Sequence, residues 1–368
     1  MQQSIKRKQV AVLETPVAGQ RAPDERGELR SGSCRERLVG RFFTQEFSLP
    51  KKSLSQSIGC RSCVDLIAAM DTNEPIVSVI VPCYNSERHI RRCLAAILEQ
   101  RTAIHYEVVV VDSSNDQTPQ IIAREFPSVR LIHLERRTFA GAARNAGVRA
   151  TRAPFCLMID SDCIAQPDLI ERMLARHREG QYAAVGGSLA NGTPRSLSGW
   201  TGYLLEFKEF MPTAPERFEK TVPTANVMYR REVFDRFGGF DEQMRESEDV
   251  LFNRTMERAG ERILFDPAIE VTHLNRTGWE RVLLYQIDLG SSSAEARRRG
   301  GLEGNELLRY PLLILLMPFV RWARAALWLA KIDRRAFLIF LLISPMYLLG
   351  AGFWSAGFFK NAIADGRR

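Results

Sequence analysis

From Ile76 onward the chain alternates uninterrupted apolar runs with amphipathic stretches: IVSVIVPCY, ERHIRRCLAAILEQ, YEVVVVD, TPQIIAREF and VRLIHLE. Continuous Val/Ile runs read as strands buried on both faces, and the helically spaced stretches between them read as crossovers. The pattern predicts a βαβαβ rhythm, hence a three-layer α/β fold around a mostly parallel sheet, with ligands gathered at the carboxyl ends of the strands. Before Ile76 the pattern dissolves. Residues 1–74 mix Gln, Ser, Arg and Gly with short apolar runs and read as a flexible basic extension.

The far end changes character again. Ala336 to Phe359 is 24 residues without a formal charge, enough to cross about 30 Å of hydrocarbon, and predicts a transmembrane helix, with a buried core helix as the competing reading. Pro311 to Ala330 is apolar except for Arg321 and Arg324. Each arginine costs about 2.5 to 3.5 kcal/mol at a bilayer centre on insertion scales. An interfacial or re-entrant helix therefore competes with a second span over 311–332. The expected organisation is an extension over 1–74, an α/β domain over 75–300, and a membrane-associated region over 301–368, with 336–359 transmembrane.

Composition narrows the class. The 368 residues are 45% hydrophobic and 26% charged, ordinary for a globular chain and incompatible with collagen-like, coiled-coil or wholly disordered readings. Of the net charge of +8, the first seventy residues carry five, so the rest is nearly balanced and no nucleic-acid partner is expected. The seven cysteines, at 34, 60, 63, 83, 93, 156 and 163, lack the dense pairing of a disulfide scaffold and read as reduced thiols. Cys60 and Cys63 form a CxxC, but no second pair or nearby histidine completes a zinc site. The first twenty residues hold no apolar run of secretory-signal length, and the folded domain is therefore expected on the cytoplasmic side.

Each apolar run ends in a polar or aromatic cluster: Cys83-Tyr84-Asn85, Asp112-Ser113-Ser114-Asn115-Asp116, and Asp160-Ser161-Asp162. A strand-terminal carboxylate such as Asp112 is suited to accept a nucleobase N–H, and a tyrosine beside it to stack on the base; an Asx turn at Asp112 and a sheet-edge plug at Tyr84 are the alternatives. Two carboxylates at i and i+2 after a wholly apolar strand repel one another where solvation is poor. A divalent cation, Mg²⁺ or Mn²⁺, offsets that repulsion and would bridge a diphosphate.

Together SVIVPCYNSERHIRRCL, VVVVDSSNDQT, AGAARNAGVRAT, LMIDSDC and GGFDEQMRESEDVLFNRTMERAG resemble the family 2 glycosyltransferases of GT-A fold (nucleotide-diphospho-sugar transferases) over about residues 76–275. The resemblance implies that Pro82 and Tyr84 line a nucleobase pocket, Asp112 binds the base, Arg144 contacts the nucleotide, and Asp160 faces ribose and diphosphate. It implies Asp162 as a direct metal ligand and His273 as the residue completing the metal or diphosphate site; capping a strand is the other reading of His273. It also implies Asp249 as the base that deprotonates the acceptor for inverting displacement, with Glu248 supporting it or touching the acceptor. Without the resemblance, Ser247-Glu248-Asp249 reads equally as an N-cap followed by two acids favoured by the helix dipole.

Asp112-Ser113-Ser114-Asn115-Asp116 departs from the family's common DDGSTD by losing the second acid, and the QxxRW of processive synthases is absent, Trp279 and Gln286 being displaced. The implied activity is transfer of one sugar from a nucleotide-diphosphate sugar to a lipid-linked, membrane-proximal or saccharide acceptor in cell-surface glycan synthesis. A synthase subunit and a non-catalytic nucleotide-sugar sensor are the alternatives. Residues 188–225, rich in Gly, Pro, Trp and Phe, read as an acceptor-binding loop or as a packed insertion.

Overall fold

A computed structural model describes residues 74–365. The expected extension lies outside the described residues except for Glu74. In chain order the elements are β1 (Val77–Cys83), α1 (Ile90–Leu98), β2 (Tyr106–Asp112), α2 (Thr118–Glu125), β3 (Arg130–His133), α3 (Ala140–Ala150), β4 (Phe155–Ile159), β5 (Cys163–Ala165) and α4 (Leu169–Glu179). They continue with β6 (Ala184–Asn191), α5 (Leu197–Glu206), a 3-10 turn (Lys208–Phe210), β7 (Arg217–Glu219), β8 (Asn226–Arg230), α6 (Glu232–Phe237), α7 (Glu248–Arg258) and β9 (Ile263–His273). After β9 come α8 (Trp279–Gly300), α9 (Glu306–Arg309), a second 3-10 turn (Pro311–Leu316), α10 (Met317–Ile332) and α11 (Arg334–Asp365).

The GT-A-like α/β architecture is the expected one. The nine strands form a single sheet in the order β3-β2-β1-β4-β8-β6-β9-β5, with β7 against β9. The first four strands pair in parallel, Val77 facing Tyr106 on one side and Phe155 on the other. Beyond β4 the sheet is mixed, because β8 runs antiparallel to β4 and β6, while β6 and β9 are parallel. Val77, Val79, Ile80 and Val81 are inaccessible, as two-sided burial demands. One face packs with Ile90, Leu94, Ile170 and Met173 of α1 and α4; the other packs with Phe252 and Met256 of α7 and with Phe234 and Phe240.

The segment 188–225 is built structure rather than a free loop. It contains the end of β6, all of α5, the first 3-10 turn and β7. Ser196 caps α5 by accepting from the Gly199 amide at 3.0 Å, and Tyr203 donates its hydroxyl to the Leu189 carbonyl at 2.6 Å. The helices over Leu312–Ile332 and Arg334–Ile363 are both long and apolar enough to cross a membrane. Neither stands away from the domain: Ala325, Leu329, Phe340 and Tyr347 pack with Tyr203, Leu204 and Leu205 of α5.

Candidate active site

The tips of β1, β2 and β4 are tied together by their own polar side chains. Ser86 and Ser161 share a hydroxyl hydrogen bond at 2.7 Å, joining the Tyr84 turn to the Asp160-Ser161-Asp162 turn. Asn85, held at φ 52° in the left-handed region that Asn tolerates, donates its amide to Ser114 Oγ and accepts from the Asn115 amide. These ties border a cavity of about 1080 Å³ lined by Pro82, Tyr84, Arg144, Asp160, Asp162, Glu248, Asp249 and His273, so eight of the nine residues singled out from sequence share one space.

Asp112 is the ninth, and it does not line the cavity. Its side chain is inaccessible, and its oxygens accept from the Ser114 amide and hydroxyl and from His133 Nδ1 at 2.7 Å. That arrangement contains the Asx-type turn foreseen as the alternative, and it presents the partly exposed His133 ring where a free carboxylate was expected. Tyr84 is 37% exposed, and the Arg137 guanidinium carbon stands 4.4 Å from its ring centroid. Arg137 lines the cavity and was missed; it closely follows the end of β3, so the strand-tip rule applied to β3 would have found it.

Arg144 sits beneath the centre of the cavity as a strut. Its Nη2 donates to Asp160 Oδ1 at 2.6 Å and its Nη1 to Glu248 Oε1 at 2.5 Å, so one buried guanidinium links the β4 tip to the start of α7. Ser247 does not cap that helix. It stands in the left-handed region at φ 68°, ψ 15°, with no side-chain cap bond. For a non-glycine residue this costs on the order of 1 to 2 kcal/mol, a strain retained where function over-determines the backbone. Glu248 and Asp249 follow it into the cavity wall. Burial pushes the carboxyls of both above the ordinary carboxylate range, the charge of Arg144 opposing the shift.

Asp162 and His273 converge at the adjacent wall. His273 Nδ1 lies 3.0 Å from Asn275 Oδ1, and Asn275 Nδ2 donates to Asn191 Oδ1 at 2.8 Å. The amide oxygen therefore accepts from the imidazole, which assigns the Nδ1–H tautomer and leaves the Nε2 lone pair free. Nε2 stands 3.5 Å from Asp162 Oδ1. A carboxylate oxygen and an imidazole lone pair facing one another across that gap, with the ring oriented from behind, fit a divalent cation. Cys163 Sγ lies within the same 4.8 Å cluster, but burial drives its thiol well up, away from the thiolate a metal would need.

The same cavity is also lined by Glu206, Glu246, Arg276, Tyr285 and Gln286, and by Arg321 of α10 and Trp354 of α11. Gln286 is inaccessible and donates to Glu206 Oε1 at 3.1 Å, while its own Oε1 has no partner among the described residues. The Arg276 guanidinium carbon lies 3.7 Å from the Tyr285 ring centroid. Burial pushes the Glu246 carboxyl up to about 7, against the pull of Arg276 and the Tyr285 hydroxyl. Arg321 donates Nη2 to the Leu205 carbonyl at 3.3 Å and lies 4.5 Å from the Trp354 ring centroid, and its Nε has no partner among the described residues. None of these residues carried a local motif.

The family model for "Glycosyl transferase family 2" matches residues 78–238. The succinoglycan biosynthesis protein ExoO of Rhizobium meliloti (strain 1021) is 32% identical over 249 residues, covering 62% of this chain and 70% of ExoO. The uncharacterized glycosyltransferase EpsJ of Bacillus subtilis (strain 168) is 28% identical over 202 residues, covering 51% of this chain and 58% of EpsJ. Among solved structures, the mannosyltransferase PcManGT from Pyrobaculum calidifontis, in complex with GDP-Man and Mn²⁺, superposes with a TM-score of 0.55 at 20% identity. That match covers 79% of this chain and 88% of PcManGT, and it supports the shared fold.

Proposed function

The chain belongs to the family 2 glycosyltransferases, and from that membership we propose that it transfers one sugar, with inversion, from a nucleotide-diphosphate sugar to a lipid-linked acceptor at the cytoplasmic face of a membrane. The observation that carries this reading is that one cavity is lined by Tyr84 and the strand tips, by Asp249, and by Arg321 and Trp354 of the apolar C-terminal helices. ExoO's part in succinoglycan biosynthesis supports a role in cell-surface polysaccharide assembly.

In this reading Pro82 and Tyr84 border the nucleobase, while His133 holds the Asp112 carboxylate at the adjacent strand tip. Arg137 supplies positive charge to the diphosphate, and Asp160 faces the ribose while fixed by Arg144. Asp162 and His273 would hold Mg²⁺ or Mn²⁺, which when bound supplies positive charge to the departing diphosphate. Asp249 accepts the proton of the acceptor hydroxyl as its oxygen bonds to the anomeric carbon and the carbon–phosphate-oxygen bond breaks. One displacement of this kind inverts the anomeric configuration. Glu248, paired with Arg144, holds the start of α7 in position and borders the acceptor. Glu246, Tyr285 and Gln286 offer the carboxylate, hydroxyl and amide chemistry that sugars require, and Arg321 offers a cation to an acceptor phosphate.

The test is donor turnover by the full chain against UDP-, GDP- and dTDP-sugars with Mn²⁺ or EDTA, followed by transfer to lipid-linked sugar. One metal-dependent donor is expected, with loss of turnover in Asp249→Asn and Asp162→Ala. Equal transfer to soluble sugars and to lipid-linked sugar would overturn the acceptor assignment.

A further inference from the structure

We propose that α10 and α11 do not cross the bilayer but lie in its surface, as an apolar platform that seats the catalytic domain on anionic lipid with the far end of the cavity at headgroup depth. This rests on the membrane-acceptor reading above and specifies how the membrane is met. The way α11 is held decides between spanning the bilayer and lying on it. At about 1.5 Å per residue its 32 residues exceed a hydrocarbon core of about 30 Å, so length alone permits a span. Its two ends, however, both touch the catalytic domain. At the α10–α11 turn Thr213 donates to Asp333 Oδ2 at 3.4 Å, and Trp328 Nε1 donates to the Lys208 carbonyl at 2.9 Å. Near the other end, Arg298 of α8 donates to the Asn361 carbonyl and side-chain oxygen at 3.0 and 2.8 Å, and Asn361 donates to Ser291.

Between those ends α11 is seated closely on α8. A Cβ at Gly290 would stand 1.9 Å from the Trp354 carbonyl oxygen, and one at Gly357 would stand 2.0 Å from the Ile287 carbonyl oxygen. Only glycine permits these two approaches, so the crossing is a fixed feature of the fold. Alongside this seam α8 carries charge: Asp288 pairs with Arg245 at 2.8 Å, and Glu295 and Asp241 both pair with Arg299. A bilayer wrapped around the middle of α11 would take those groups and the domain beside them into hydrocarbon. A bilayer touching only the outward side of α11 takes in none of them.

The outward side has the composition for that contact. Leu312 and Leu315 of the second 3-10 turn, Phe319 and Leu327 of α10, and Leu338 and Leu342 of α11 are each between 59 and 76% exposed, and exposed apolar surface of this kind marks a protein or membrane contact when it is contiguous. Residues 310–363 carry six Lys or Arg and one acid, with Arg324, Lys331, Arg334, Arg335 and Lys360 exposed, which complements anionic headgroups. Arg321 and Trp354, on the helices that form this platform, line the cavity.

The experiment uses the full chain in the inner membrane of a bacterial host. Arg334→Cys, at the α10–α11 turn, Lys360→Cys, near the far end of α11, and Glu232→Cys, on the exposed surface of the catalytic domain, are treated with a membrane-impermeant maleimide in inverted vesicles and in spheroplasts, and sites are read by peptide mass spectrometry. The proposal expects all three positions to label in the same preparation. Labelling of Arg334→Cys or Lys360→Cys in the preparation opposite to Glu232→Cys would put α10 or α11 across the bilayer and overturn the proposal, with membrane association left intact. Flotation with phosphatidylglycerol-containing vesicles separates the two readings: chain that stays at the bottom of the gradient, or that buries this face in a soluble dimer, overturns the membrane reading itself. A Leu312→Glu, Leu315→Glu double variant is expected to lose flotation at least tenfold while keeping donor turnover; unchanged flotation would overturn the platform.

Discussion

The two ends of the cavity are built on different principles. At the end proposed for the nucleotide, parallel strands deliver Tyr84, Asp160 and Asp162 within a few residues of their carboxyl tips, and short-range ties such as Ser86–Ser161 and Asn85–Ser114 hold them. At the end proposed for the acceptor, Glu206, Glu246, Arg276, Tyr285, Gln286 and Arg321 come from five separate segments, none with a motif of its own. Parallel-sheet topology concentrates chemistry at a place the chain pattern foretells. The acceptor end depends on how α5, α8 and the C-terminal helices pack, so it can vary while the donor end stays constant.

If that division is right, substitutions should separate by end. The largest effect is expected where the two ends meet: Asp249→Asn should lower kcat by about 10² to 10⁴ without weakening nucleoside-diphosphate binding, checked by calorimetry beside steady-state rates. Because burial raises the Asp249 carboxyl, the base limb of the kcat–pH profile should lie above the ordinary carboxylate range, with activity falling as pH drops through it. A limb at ordinary carboxylate pH would remove the burial argument.

Next in size, Asn275→Ala should weaken Mn²⁺ binding about 10- to 100-fold, since it frees the His273 ring that its side chain orients. Metal titration of the purified protein reads this directly. On the acceptor side, Arg321→Ala should cost about 1.5 to 3 kcal/mol in acceptor binding, the worth of a charged hydrogen bond. It should raise the KM for lipid-linked acceptor while donor hydrolysis and kcat hold; an equal loss in donor hydrolysis would dissolve the separation. The smallest effect is expected at His133→Ala, about 0.5 to 1.5 kcal/mol in donor affinity, measured with the nucleoside diphosphate alone.

The same contrast explains what was legible in the chain. The apolar runs foretold β1 to β4 and their tips, and the resemblance brought Arg144, Glu248, Asp249 and His273 to the same cavity. Asp112 shows what a strand-tip position leaves open. Its carboxylate is consumed locally by Ser114 and His133, and no spacing rule reveals whether a strand-end acid turns inward or outward. Ser247 has the composition of an N-cap, yet it adopts a left-handed backbone because the turn into α7 must aim two acids at the cavity. The segment 188–225 folded into α5, β7 and their connections because its Trp, Tyr and Leu side chains pack under α10 and α11, a partnership set by residues more than a hundred positions away. Helix length and hydropathy likewise identified the C-terminal helices but not the α8 seam that holds α11.

The most direct test of the account is the anomeric configuration of the new linkage, read by proton NMR on product isolated from the full chain, its preferred donor and a lipid-linked acceptor. A single displacement with Asp249 as base requires the configuration opposite to that in the donor. Retention would mean a second displacement or a different nucleophile, and would contradict the role assigned to Asp249.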